Sequence, residues 1–182
     1  MIAVFVFGLG NASDAFLLLR ASQLGFDAVG LTLLWSGFHV VKWACSAPSG
    51  RLADRLGSGR PLLVGWALYA AVYVGFAYAG SVAALLGLLL FYALYYGLTE
   101  GAERKLVTEL GGEVGRGTVL GAYHLASGAG LFLASLLFGV VWERASARAA
   151  FLAGAGLALV ATALLTAALS SSRRRNHQPA AR

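Results

Sequence analysis

Six apolar segments of about 20 residues each dominate this sequence, and short charged or glycine-rich links separate them. A membrane-spanning helix needs about 20 mostly apolar residues, so each segment is predicted to cross a bilayer. Apolar residues make up 59% of the chain and charged residues 12%, whereas a soluble domain carries about a quarter charged residues. The sequence therefore predicts an all-α polytopic membrane protein embedded in the lipid bilayer. The predicted helices run from about Ile2 to Leu19, Val29 to Pro48, Pro61 to Ala79, Val82 to Gly101, Val119 to Trp142 and Ala149 to Leu169.

The basic residues predict how the chain is oriented. The formal charge of +6 does not indicate nucleic-acid binding, because Lys and Arg gather at the ends of apolar segments, where they anchor helices on the cytoplasmic side. One side carries Arg51, Arg55, Arg60, Arg104, Lys105, Arg116, Arg173, Arg174, Arg175 and Arg182, and the other carries Arg20, Arg144 and Arg148. This bias predicts an inner (plasma) membrane protein with both termini in the cytoplasm. Residues 1–170 are expected to form the membrane domain, and residues 171–182 a basic, disordered tail.

Polar side chains are unevenly distributed among the six predicted helices. The first, second, fourth and fifth helices carry them, whereas the third and sixth have no ionisable side chain apart from tyrosines. Ionisable groups in a bilayer usually face a bundle interior or a water-filled cavity. The four polar helices are therefore predicted to line an interior, with the other two facing lipid or supporting them from outside. The order polar, polar, apolar occurs twice, which suggests two three-helix inverted repeats.

A group of polar residues on these helices is a candidate substrate or proton site. Asn11 and Asp14 are three residues apart, so they would share one face of a continuous helix, with Asp14 near the middle of the span. Asp14 is expected to pair with His39 or Lys42, since burial and opposite charge make such a pair sensitive to conformational state. A static ion pair that fixes helix packing is the alternative reading. His124 completes the candidates, although a lone histidine more often has a structural role.

The link after the second helix has a distinctive pattern, Gly-x-Leu-Ala-Asp-Arg-x-Gly, over residues 50–57. It resembles the signature loop of the major facilitator superfamily of secondary transporters. Residues 9–20, 97–104 and 116–124 look like the seventh, tenth and eleventh helices of bacterial members. The resemblance thus covers nearly the whole chain, but only the C-terminal six-helix half of a twelve-helix transporter. The loop departs from the family pattern after Gly57, where Ser58-Gly59-Arg60 replaces the usual adjacent basic pair.

The resemblance also implies a gating latch on the cytoplasmic side. In the family, the aspartate and arginine of the loop help to hold one state of the gate. Asp54 is accordingly expected to face the N-terminal end of a neighbouring helix, and Arg55 to pair with Glu100 or Glu103. The alternative is that these residues only set topology and cap helices. The full set of candidate latch residues is Gly50, Asp54, Arg55, Gly57, Glu100, Glu103 and Arg104.

These observations favour a secondary active transporter that moves a small molecule by alternating access, with proton coupling as the default. A facilitator holds its substrate between two six-helix halves, so the expected partner is a missing N-terminal half or a second copy of this chain. The alternative is an inactive truncated membrane protein or an interaction partner without transport activity. An intramembrane hydrolase is disfavoured, because His124 and Ser127 lie on one helix and no Gly-x-Ser-Gly sequence is present. No enzyme activity, cofactor or metal site is expected.

Overall fold

The computed structural model of the protein describes residues 2–46, 48–110 and 115–176, with only the backbone described for Leu110, Arg116 and residues 171–176. The described ranges contain eight α-helices and no strand. They combine into six spans that are long and apolar enough to cross a membrane, which confirms the all-α polytopic class. The helices are α1 (Ile2–Gly10), α2 (Ala15–Gln23), α3 (Ala28–Ser46), α4 (Ser49–Leu56), α5 (Gly59–Tyr78), α6 (Val82–Leu110), α7 (Arg116–Arg144) and α8 (Ala147–Asn176).

The first membrane span is broken rather than continuous. Helix α1 ends at Gly10 and α2 begins at Ala15, so residues 11–14 cross the middle of the span without regular helical hydrogen bonding. The expectation that Asn11 and Asp14 share one helical face is therefore wrong. The short sequence that interrupts the span contains Asn, Ser and Asp, whose side chains compete with the backbone for hydrogen bonds and favour helix ends over helix interiors.

Neighbouring helices satisfy two of the backbone groups at this break. The hydroxyl of Tyr69 on α5 donates a hydrogen bond to the carbonyl oxygen of Gly10 at 2.9 Å. The amide of Ser13 donates to the hydroxyl oxygen of Ser135 on α7 at 3.1 Å. An unpaired backbone group is costly where no water is available, and irregular backbone is tolerated at membrane depth only where protein or a water-filled cavity surrounds it. The break is thus held by side chains from two other spans.

Helix α5 carries the aromatic core of the bundle. Trp66, Tyr69, Tyr73 and Phe76 recur at helical spacing on one face and are fully or almost fully buried. The ring of Trp66 stacks on Phe7 of α1, with centroids 4.4 Å apart. The third predicted helix, α5, was expected to face lipid or to support the polar helices from outside. It does pack against the other helices, and its aromatic face is buried in protein instead of facing lipid.

Helices α3 and α7, by contrast, bury little of their surface. Of the 19 residues of α3, all described, Phe38 alone is buried. Among the described side chains of α7, burial follows a single stripe in which every fourth residue contacts the bundle. These residues are Gly130, Ala134, Phe138 and Trp142. Large apolar side chains elsewhere on the two helices are exposed, including Trp43 and Leu125 with exposures of 74% and 77%. The two helices therefore present broad faces that nothing in the described structure covers.

Two glycines of α6 allow the second span to approach closely. A β-carbon at Gly97 would lie 2.5 Å from the carbonyl oxygen of Cys45, and one at Gly101 would lie 2.8 Å from the hydroxyl oxygen of Ser49. The glycines are four residues apart, so they share a helix face. This small-xxx-small spacing lets membrane helices pack backbone to backbone. It positions the C-terminal half of α6 directly against α3 and α4.

Helix α8 extends beyond the predicted end of the membrane domain. Its backbone remains helical to Asn176, so residues 171–176 continue the last helix, although they were expected to belong to a disordered tail. The remainder of that expected tail, residues 177–182, lies outside the described residues.

Candidate functional site

Asp14 lies at the break in the first span and is bound by two tyrosines of α6. The hydroxyl of Tyr92 donates to Oδ1 of Asp14 at 2.6 Å, and the hydroxyl of Tyr96 donates to Oδ2 at 3.0 Å. The two tyrosines are four residues apart, which places both hydroxyls on the same side of α6. Asp14 also stands at the N-terminal end of α2, where a negative charge is favoured by the helix dipole. The carboxylate is thus held by neutral donors.

Lys42 and His39 do not pair directly with Asp14, so that expectation is wrong. The Nζ atom of Lys42 lies 3.4 Å from the centre of the Tyr96 ring, a cation–π contact. His39 makes an edge-on contact with Trp35, with ring centroids 4.6 Å apart. Tyr96 therefore connects the two charges, because its hydroxyl binds Asp14 while its ring binds Lys42. We call these four residues, Asp14, Lys42, Tyr92 and Tyr96, the aspartate cluster.

Glu103 belongs to a second, separate polar group. Its Oε2 accepts a hydrogen bond from the hydroxyl of Tyr123 on α7 at 2.9 Å, and its Oε1 lies 3.5 Å from Nε1 of Trp66 on α5. Among the described side chains, the salt bridges are Arg104–Glu100 and Lys105–Asp54. Glu103 has no such cationic partner there. Its carboxylate is therefore held, like that of Asp14, by neutral donors.

A cleft of about 600 Å³ opens beside Glu103 between α1, α6 and α7. Volumes of roughly 300–1,000 Å³ are usual for small-molecule pockets. Three predicted site residues, Asn11, His124 and the latch candidate Glu103, line this cleft, whereas Asp14, His39 and Lys42 do not. We call this cleft the glutamate cleft. Of the predicted substrate or proton site, Asp14 and Lys42 thus belong to the aspartate cluster, Asn11 and His124 line the glutamate cleft, and His39 belongs to neither. His124 also contacts the ring of Tyr123.

The signature loop forms the short helix α4, which docks along the C-terminal end of α6. Hydrogen bonds spaced along α6 from Glu100 to Glu109 connect the second span and its loop to that end. They are Ser46 to Glu100 at 3.0 Å, Ser49 to the amide of Gly101 at 3.0 Å, Lys105 to Asp54 at 3.0 Å, and Ser58 to Glu109 at 3.0 Å. Hydrogen bonds and one ion pair therefore join the second span and its loop to the fourth span, and a gating role for these contacts stays a prediction.

The expected partners of the latch need three corrections. Asp54 binds Lys105 instead of facing a helix N-terminus. Arg55 lines a groove beside Cys45 and makes no salt bridge among the described residues. Glu103 lies in the glutamate cleft, while Glu100 pairs with Arg104 one turn along α6.

The two loop glycines also differ in role. Gly57 ends α4 with a φ of +76°, a conformation that favours glycine. Gly50 lies exposed within α4 and has open space where a β-carbon would be. The positive φ therefore explains a glycine at position 57, but nothing in the structure requires one at position 50.

We expect the Asp54 salt bridge to contribute little to stability. The Asp54 side chain is 76% exposed, and exposed ion pairs usually contribute less than about 1 kcal/mol. Asp54→Asn should therefore lower the free energy of unfolding by less than about 1 kcal/mol, measured by denaturant titration in detergent. A loss several times larger would contradict this assignment and show that the carboxylate is essential for docking α4.

Comparison with known proteins agrees with this architecture. A model of the Major Facilitator Superfamily matches residues 1–182. The chain belongs to this family. One relative of this facilitator chain is an uncharacterized MFS-type transporter from Methanocaldococcus jannaschii, which is 31% identical over 169 residues. That match covers 88% of this chain but 42% of the relative, so the facilitator chain spans less than half of the protein it resembles.

Sequence reasoning missed the donors that hold the two carboxylates of this facilitator chain. Tyr92, Trp66 and Tyr123 were not among the predicted site residues. The available signal was the four-residue spacing of Tyr92 and Tyr96 on a polar helix. No comparable signal exists for Glu103, because its donors come from two helices that are distant in sequence.

Proposed function

We propose that the chain is one six-helix half of a secondary transporter that moves a small molecule across the membrane by alternating access. A second six-helix unit would cover the faces of α3 and α7. The substrate would lie between the two units, near the aspartate cluster and the glutamate cleft. The family membership and the 42% coverage of a longer MFS-type transporter support this proposal.

The main support for a second six-helix unit is the exposed row of polar side chains on α3. Thr32, Ser36 and His39 are exposed and follow helical spacing on one face. Apolar side chains facing outward are normal in a membrane protein, but an ionisable side chain usually faces protein or a water-filled cavity. His39 at this position therefore favours a protein partner or an aqueous cavity over lipid. On α7, the exposed His124 extends the same argument to the second face.

The proton is the coupling ion that the two carboxylates favour. Asp14 and Glu103 are bound by hydroxyl and indole donors, so each can lose its negative charge without leaving a cation unpaired. A pair that forms in one conformation and breaks in another biases the equilibrium between them. The latch between α4 and α6 is the corresponding element on the side we assign to the cytoplasm. The excess of basic residues on that side favours cytoplasmic termini in the inner membrane.

Cysteine crosslinking tests whether a second unit covers these faces. In a Cys45→Ser background, Val40→Cys on α3 and Leu125→Cys on α7 are expected to crosslink to another chain in native membranes. Val160→Cys is the control, since this exposed position lies on α8, away from the proposed interface. The mass of the product distinguishes a second copy from a different half. Crosslinking at Val40 no stronger than at Val160 would contradict the proposed assembly.

A further inference from the structure

The glutamate cleft has the composition of a site for an organic cation. Its lining is mostly apolar, and it contains Phe5, Phe7 and Tyr123 together with one carboxylate, that of Glu103. Among the described residues that line it, none is Lys or Arg. Aromatic faces attract cations, and a carboxylate adds a full opposite charge. The cleft therefore combines one carboxylate with aromatic faces, and the imidazole of His124 is the one basic side chain among its described lining residues.

The position of the Glu103 carboxylate also indicates where the positive charge of a ligand would lie. Glu103 is held in place by Tyr123 and Trp66, which approach from α7 and α5. Both are neutral donors, so they orient the carboxylate without cancelling its charge. A carboxylate has about four acceptor sites on its two oxygens, and these two donors occupy at most two of them. The remaining acceptor sites have no donor among the described contacts, and the residue lines the cleft.

The aromatic side chains extend this arrangement away from the carboxylate. The ring of Phe7 stacks on Trp66 with nearly parallel planes, so its position is fixed by the core of the bundle. Phe5, two residues earlier on α1, is 47% exposed and lines the same cleft. Apolar groups of a ligand would replace water along this wall, which is favourable. A small hydrated metal ion would gain nothing from it.

We propose that the glutamate cleft binds a soluble organic cation that carries apolar groups, with Glu103 as its counter-ion. This names a substrate class for the proposed transporter and so rests on that proposed function. Binding, however, requires only the cleft within this chain. It can therefore be measured without transport and without a second six-helix unit.

The test compares two probes of matched shape and opposite charge. The full chain is purified in an uncharged maltoside detergent, and binding of tetraphenylphosphonium and tetraphenylborate is measured by equilibrium dialysis against detergent blanks. Wild-type protein is expected to bind the cation more tightly than the anion. Glu103→Gln should weaken cation binding by about tenfold or more, since one partner of a desolvated charge pair is removed. The same variant should leave anion binding equal or stronger.

A matched control and three outcomes make this test decisive. Glu143→Gln removes the same charge at the exposed far end of α7, and cation binding should stay within about twofold. Equal loss of both probes in Glu103→Gln would show a structural role and overturn the proposal. Unchanged cation affinity would also overturn it, leaving Glu103 as a proton site. Displacement of the cation by added phosphatidylcholine would assign the cleft to a lipid headgroup instead. Failure of the crosslinking experiment would leave this binding result unaffected.

Discussion

Gly97→Leu is expected to prevent α6 from packing against the second span and to cause the largest loss of stability of any single change considered. A β-carbon at this position would lie 2.5 Å from the carbonyl oxygen of Cys45 and 2.9 Å from its carbonyl carbon. Both are backbone atoms, so a rotamer change cannot relieve the clash. Overpacking typically costs about 1–3 kcal/mol when side chains can adjust, and a backbone clash should exceed that range. The measurement is the free energy of unfolding in detergent, together with the yield of folded protein.

Gly87→Leu is the control for this prediction. Gly87 lies on the same helix, and a β-carbon there would meet nothing within 4 Å. Because glycine costs about 1 kcal/mol in a helix relative to good helix formers, Gly87→Leu should leave stability unchanged or raise it slightly. If the two leucine variants lost stability equally, the close approach at Gly97 would not be the cause. If both were neutral, the packing of α6 against Cys45 would be wrong.

The sequence was sufficient to predict the spans but not the details of their packing. The length of each apolar segment predicted all six spans, because the bilayer imposes both length and composition. The boundaries differ most at the fourth span, where α6 continues to Leu110 instead of ending near Gly101. The extension contains charged residues, so a prediction based only on hydropathy placed the end of the helix too early. Within it, Lys105 contacts Asp54 and the carbonyl oxygen of Ala53 on α4, and Glu109 accepts a hydrogen bond from Ser58 just after α4. These contacts stabilise a helical extension that membrane burial does not explain.

The break in the first span shows why the candidate site was only partly predictable. Residues 11–14 read Asn-Ala-Ser-Asp, and Ser and Asp are residues that commonly begin a helix. Judged from the sequence alone, these four residues are equally compatible with a polar face on one continuous helix. The broken form is supported by Tyr69 and Ser135, which bind the carbonyl of Gly10 and the amide of Ser13 from distant positions. Such long-range partners cannot be derived from local pattern.

The same limit applies to the partner of each charged group. Opposite charge favoured pairing Asp14 with Lys42, and both lie in one cluster, yet Tyr96 stands between them. Two neutral hydroxyls bind the carboxylate, and an aromatic ring binds the ammonium. In a bilayer, where an unpaired charge is expensive, this arrangement lets each charge keep a partner if the other moves. A direct ion pair would couple the two groups rigidly.

Tyr92→Phe is expected to lower the free energy of unfolding by about 2 kcal/mol, because it removes the 2.6 Å hydrogen bond to Asp14 while keeping the buried ring. Hydrogen bonds to charged groups contribute about 1.5–3 kcal/mol. Asp14→Asn should cost a similar amount, since it weakens the same bond. If the bond is the cause, the double variant should cost less than the sum, with a coupling energy of about 1–2 kcal/mol within the range seen for contacting residues.

Tyr95→Phe provides the matched comparison for this cycle. Tyr95 is also buried, and its ring stacks on that of Tyr92 with centroids 5.6 Å apart, but its hydroxyl makes no hydrogen bond to Asp14 among the described contacts. A second cycle that combines Tyr95→Phe with Asp14→Asn should therefore show a coupling energy below about 0.5 kcal/mol. Equal coupling in the two cycles would mean that Asp14 senses the aromatic cluster as a whole. In that case, the hydroxyl of Tyr92 would not be its specific partner, and the aspartate cluster would lose its defining contact.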